Sequence, residues 1–167
     1  MINDKLKKLL QKIHLIEDSI LAILLIGMIL LASSQIFLRN LFDSGIIWAD
    51  PLLRVMVLWI GLLGALAATR ENKHITIDLL ARFLSDFMHE VVKALTNIFS
   101  CVIAGILAYH SVRYIVMEYE AQSMAFSGIP AWLLEVILPI AFSFIALRFF
   151  LHFILNIRVV LARKQRK

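Results

Sequence analysis

The sequence predicts an all-α integral membrane protein with four transmembrane helices, and three observations carry that reading. The composition is 61% hydrophobic and 17% charged, and the mean hydropathy of +0.86 lies far above that of a soluble domain. The apolar residues gather into four runs, each near the about 20 residues that a helix needs to cross a bilayer core of about 30 Å. The lysines and arginines behind the net charge of +5 cluster at the ends of those runs, where basic residues set topology rather than bind nucleic acid. Four crossings and their links fill residues 1–167, so the chain reads as one membrane domain.

Residues 2–16 place Ile2, Leu6, Leu9, Leu10, Ile13 and Ile16 at spacings of three and four, with Lys5, Lys8 and Lys12 on the other side. This pattern predicts an amphipathic interfacial helix whose lysines meet anionic headgroups of membrane lipids. The first crossing follows over 18–38. The basic region before it is long and no small-residue cleavage site is suitably placed, which argues against a cleaved signal peptide. Gln35 and Arg39 lie one turn apart at its far end, positioned to bond each other or a neighbouring helix, though an interfacial arginine also snorkels outward without a partner. The short link 40–47 forces the second crossing, 48–69, to run antiparallel beside the first.

The connection from Arg70 to Asp78 leads into Leu80, Phe83, Leu84, Phe87 and Met88 at helical spacing. It predicts an interfacial helix over 74–88. His74, between Arg70, Lys73 and Asp78, reads more readily as an interfacial polar residue than as a ligand or pH sensor. The third crossing spans 91–117 and carries Tyr109, Tyr114 and Tyr119 toward its end, at the headgroup level that tyrosine favours. Gly128, Ile129 and Pro130 open the fourth crossing, 130–156, with a proline where a missing N–H costs nothing. Pro139 lies inside that helix and removes one backbone bond, which predicts a kink.

Positive residues decide the orientation. Lys5, Lys7, Lys8 and Lys12 precede the first crossing, Arg70, Lys73, Arg82 and Lys93 lie between the second and third, and Arg158, Arg163, Lys164, Arg166 and Lys167 close the chain. The other two links carry only Arg39 and none. Both termini are therefore expected in the cytoplasm.

The second crossing is the most informative stretch. It opens with Trp48, Asp50, Pro51 and Arg54, and an ionisable side chain inside a bilayer costs roughly 2.5 to 3.5 kcal/mol by insertion scales. Asp50 and Arg54 form an i, i+4 pair with the acid first, the favourable order. The same side continues through Gly61, Ala65 and Ala68, with Gly64 beside them, and small residues at this spacing let another helix approach closely. Glycine and alanine are also ordinary in membrane helices. The stripe thus reads either as lipid-facing surface below a headgroup-level charge pair or, the reading preferred, as a packing face for a protein partner. Trp48 and Trp59 fall together on another face and are expected to anchor the helix at the membrane surface.

Several function classes lack their residues. Cys101 is the single cysteine, which rules out an internal disulfide and a cysteine-pair redox enzyme. A b-type haem anchor needs two histidines at one depth, whereas His110 and His152 fall roughly 20 Å apart at a rise of about 1.5 Å per residue. A small homodimeric proton-coupled drug antiporter needs a deep acid, and Asp50 and Glu135 both lie near helix ends. No metal-ligand cluster, activated nucleophile or glycine-rich phosphate loop is present, so no catalytic, cofactor or metal site is expected and an enzyme is disfavoured.

The run Trp48-Ala49-Asp50-Pro51-Leu52-Leu53-Arg54, followed by Leu58-Trp59, Gly64-Ala65, Ala68, Arg70, His74 and Asp78, resembles the signature of the small membrane subunit (Q-type, DctQ-like) of TRAP transporters, the tripartite ATP-independent periplasmic transporters. Gly128-Ile129-Pro130 with Pro139 is similar to that family too, and the resemblance covers nearly the whole chain. Pro51 departs from it, since many members carry a second acid there. The resemblance implies a multi-pass protein of the bacterial inner membrane that braces the scaffold of a large membrane subunit during cation-coupled, usually sodium-coupled, uptake of an organic acid. A periplasmic binding protein would deliver that acid. On this reading Asp50, Arg54, Gly61, Gly64, Ala65 and Ala68 form the large-subunit interface, and the outer links, including Asp43 and 118–127, are a weaker expectation for contact with the binding protein.

Overall fold

The computed structural model describes residues 4–70 and 86–164. Among the described residues the elements run in the order α1 (Asp4–Phe42), α2 (Ala49–Ala68), α3 (Asp86–Glu120), β1 (Met124–Phe126), β2 (Ile129–Pro130), α4 (Ala131–Glu135) and α5 (Ile137–Lys164). Among the described residues, Gln11–Phe42, Ala49–Ala68, Met88–Glu120 and Ala131–Arg158 are long and apolar enough to cross a membrane. The four expected crossings are therefore present. The expected interfacial helix at 74–88 falls almost wholly outside the described residues.

α1 differs from its expectation. The amphipathic segment 2–16 and the crossing 18–38 were expected as separate helices, but Asp4–Phe42 is one helix without a break. The cause is local: the sequence holds no proline and no glycine before Gly27, so nothing at Glu17 and Asp18 stops the backbone from continuing. At about 1.5 Å per residue the helix is about 58 Å long, nearly twice the bilayer core, and its lysine-bearing half must tilt or project beyond the lipid tails. Asp43, in the left-handed conformation at φ 46°, ends it just after Phe42.

Pro130 supplies the extended residue before α4, at φ −62° and ψ 135°. The helix of the fourth crossing then breaks at Val136, whose N–H still bonds the Trp132 carbonyl at 3.1 Å. Pro139 explains the position of the break, because it has no N–H for the Glu135 carbonyl and its ring crowds that oxygen. The interruption lies three residues before the proline, and Val136 itself keeps right-handed helical angles, φ −52° and ψ −23°.

The link 118–128 holds an element that periodicity cannot reveal. β1 and β2 pair antiparallel, with Met124 opposite Pro130 and Phe126 opposite Ile129. Ser127 and Gly128 make the turn with φ 50° and 77°, the doubly positive φ of a two-residue type I′ turn, which only a small residue set tolerates.

The contacts fall into two units, one made of the chain up to Ala67 with Arg113–Ile137, the other of Ala68–Val112 with the chain from Leu138 onward. In the first, Ala49, Leu62, Leu66 and Ile137 are the buried apolar residues, and Met56 Cε lies 3.5 Å from where a Cβ on Gly27 would stand. In the second, Ala94, Asn97, Ala104 and Ser111 are buried along one side of α3, and Ala141 and Ile145 along α5. Positions 97, 104 and 111 repeat every seven residues with 94 three before the first, along one seam, the pattern of helices packed closely through small side chains. Arg148 Nη1 donates to Thr69 Oγ1 at 3.4 Å in this unit. Most large apolar side chains elsewhere are exposed, among them Ile23, Leu30, Phe99 and Phe144, as lipid-facing residues must be.

Candidate functional site

α2 begins with Asp50 in its first turn, where an acid favours the helix dipole, and with Pro51 where its missing N–H breaks no bond. Leu62 and Leu66 are buried. On another side Arg54, Val57, Gly61, Ala65 and Ala68 are all exposed, with Gly64 half-buried. Their spacings of three and four line them up along the helix. A Cβ built on Gly61 or Gly64 meets no atom of the described chain within 4 Å. Packing among the described residues therefore uses the leucines and leaves the small-residue stripe open.

Asp50 does not make the pair with Arg54 that the sequence suggests. Its Oδ2 accepts a bond from Arg39 Nη2 at 2.6 Å, and its Oδ1 accepts a longer one from Gln35 Nε2 at 3.4 Å. The same Gln35 Nε2 donates to the Ile46 carbonyl at 3.2 Å, while the Ile46 N–H donates to Gln35 Oε1 at 2.9 Å. Gln35 is 5% exposed, so one buried amide clamps both backbone groups of Ile46 and touches the acid that starts the next helix. Gly45 allows this approach, since a Cβ there would stand 3.2 Å from both Arg39 Nε and Gln35 Nε2. The short link brings Asp50 to α1 more closely than helical spacing brings it to Arg54. Arg54 is left exposed, without a hydrogen-bond or ion-pair partner among the described residues.

The residues expected at the membrane surface divide. Trp48 is 43% exposed and Lys12 is exposed, whereas the side chains of Lys5 and Lys8 lie outside the described set. Trp59 Nε1 instead donates to the Leu134 carbonyl at 2.7 Å. The last carbonyls of a helix lack intrahelical donors, so the break after α4 leaves an acceptor that the indole takes. This bond spends the Trp59 N–H inside the protein rather than on a headgroup.

Sequence reasoning missed Asn97. It is fully buried and neither its Nδ2 nor its Oδ1 finds a partner. Its position on the seam, three residues after Ala94 and seven before Ala104, is the only signal. Among the residues weighed for other functions, Glu135 accepts a side-chain bond from Tyr114, and His110 packs edge-on against Tyr109 at 5.4 Å. Among the described residues no three His, Cys, Asp or Glu side chains gather as a metal site would require.

Residues 28–159 match the family described as tripartite ATP-independent periplasmic transporters, DctQ component. The chain is 29% identical over 122 residues to a putative TRAP transporter small permease protein of Haemophilus influenzae, covering 70% of this chain and 74% of that protein. A second protein of that name from the same organism is 27% identical over 132 residues, covering 77% and 78%. The sialic acid TRAP transporter permease protein SiaT of Haemophilus influenzae is 25% identical over 140 residues, 82% of this chain. The chain spans only 22% of the length of that relative.

Proposed function

Because the chain belongs to the DctQ component family of tripartite ATP-independent periplasmic transporters, as a multi-pass protein of the bacterial inner membrane, we propose that it serves as the small permease subunit, bracing the scaffold of a large membrane subunit. That family is a transporter component rather than an enzyme family. The large subunit carries out sodium-coupled uptake of an organic acid that a periplasmic binding protein delivers. The relative SiaT is named for sialic acid, itself a carboxylic acid, and the acid class alone is carried over. The features a carrier needs, a deep acid or a coordinating cluster, belong on this reading to the other chains.

The open stripe on α2 is the observation that carries the bracing role. Arg54, Val57, Gly61, Ala65 and Ala68 present small residues and one charge that are exposed among the described residues. In a bilayer, where lipid tails are as apolar as leucine, close backbone approach and polar contacts drive helix association. A scaffold helix of the large subunit fits that need. Asp50 joins the interface through Arg39 and Gln35, holding the start of α2 in place, rather than by facing the partner alone.

Gly61→Leu and Ala65→Leu test this reading. Both side chains have room in the isolated chain, so insertion and helix content stay at wild-type levels, while recovery of the large subunit with the tagged chain falls severalfold. Wild-type recovery with both variants would remove this face from the interface.

A further inference from the structure

We propose that the corner between the end of α3 and the hairpin is a receptor for a basic side chain of the periplasmic binding protein, an inference that rests on the transporter-subunit reading above. Tyr119, Glu120, Gln122, Met124, Pro130 and Trp132 line a cavity of about 440 Å³. The Tyr119 and Trp132 rings stand edge to face, 5.7 Å apart at 78°, so the pair braces a single aromatic wall of the corner. Aromatic faces attract lysine or arginine within about 6 Å of the ring centre. Glu120 lies on the rim, and the segment 118–128 holds Glu118 and Glu120 but no lysine or arginine. An aromatic wall and a carboxylate lining one cavity favour a cation.

The corner is held in shape before any partner arrives. Its outer wall is a two-residue hairpin with both turn residues at positive φ, and the Ala131 N–H donates to the Ser123 carbonyl at 2.9 Å, closing the base. Pre-set walls save the ordering cost that a flexible loop would add on binding. A zwitterionic lipid offers an ammonium too, but its phosphate would then stand among Glu118 and Glu120 with no basic residue in the segment to meet it. A lysine or arginine on a protein surface brings the cation without that anion. On the orientation that the positive residues predict, the corner faces the side where the binding protein docks.

The test uses the purified complex of this chain with its large subunit in nanodiscs and titrates the substrate-loaded binding protein of the same transporter. Glu120 is exposed, so Glu120→Lys leaves the hairpin intact and is expected to weaken binding at least tenfold at low salt, with the difference shrinking as salt is raised. Trp132→Leu is expected to weaken it about fivefold with little salt dependence. Equal affinity for wild type and Glu120→Lys in an intact complex overturns the receptor and leaves the subunit reading standing. Phosphatidylethanolamine retained by wild type but lost from Glu120→Lys in native mass spectrometry, with binding-protein affinity unchanged, overturns it in favour of a lipid. Failure of the wild-type chain to form any complex with a large subunit sinks both readings together.

Discussion

Arg39 on α1 and Asp50 on α2 meet at 2.6 Å across the link that turns the chain, while Gln35, one turn earlier on α1, holds the link's backbone at Ile46. These two ties differ in worth. The ion pair has side chains 58% and 44% exposed, and exposed pairs contribute roughly 0.2 to 1 kcal/mol. Gln35 is buried, and its loss strips the Ile46 N–H of its acceptor, which costs about 1 to 3 kcal/mol. Gln35→Ala is therefore expected to lower the thermal midpoint in detergent more than Arg39→Ala. A larger effect from Arg39→Ala would mean that the ion pair, not the amide clamp, sets the turn.

Trp59 ties α2 to the break in the fourth crossing through its 2.7 Å bond to the Leu134 carbonyl. Trp59→Phe keeps the ring volume and removes that donor, so it is expected to destabilise the chain by about 1 kcal/mol. Because the cost is internal, it should be the same in bilayers of different headgroup composition. A cost that follows the headgroup would return Trp59 to a surface-anchoring role.

The break at Val136 depends on Pro139. Pro139→Ala restores the N–H that bonds the Glu135 carbonyl, and the expected result is one unbroken helix from Ala131 onward. Spin labels at positions 133 and 147, both exposed, would then lie farther apart by pulsed dipolar spectroscopy. An unchanged distance would place the cause of the break in tertiary packing instead.

Arg54 is exposed within the first turns of a membrane helix, a costly position without a partner. On the subunit reading, Arg54→Ala reduces assembly with the large subunit more than Arg54→Lys does, because lysine keeps the charge but loses the bidentate fork. Equal assembly for wild type and both variants, measured by co-purification, would make Arg54 a residue that merely reaches for headgroups.

The four crossings were legible because hydropathy and length report directly on the bilayer, and Pro139 marked the neighbourhood of the interruption at Val136. The role of Asp50 was misread for a physical reason. Helical spacing sets Asp50 beside Arg54, but a short link also sets it beside Arg39, and the second effect prevails. Asking which charge the link brings alongside Arg39 and Gln35 would have found it. The hairpin at 124–130 is too short for a period of two to show, although Ser127-Gly128 is a recognisable turn pair. The separate amphipathic helix at 2–16 was expected from its spacings of three and four with lysines opposite, and the passage from a two-faced to an apolar pattern does not by itself end a helix. Asn97 could not be recognised as buried until the seam Ala94, Ala104 and Ser111 was known.

Native mass spectrometry of the tagged chain, extracted from its own membranes in a mild detergent, tests the subunit assignment most directly. The account predicts one copy of this chain bound to one copy of a single, much larger polytopic protein. Recovery of the chain only as a stable homodimer would contradict it and would turn attention to Asp50 and Glu135 as the acids of a small antiporter.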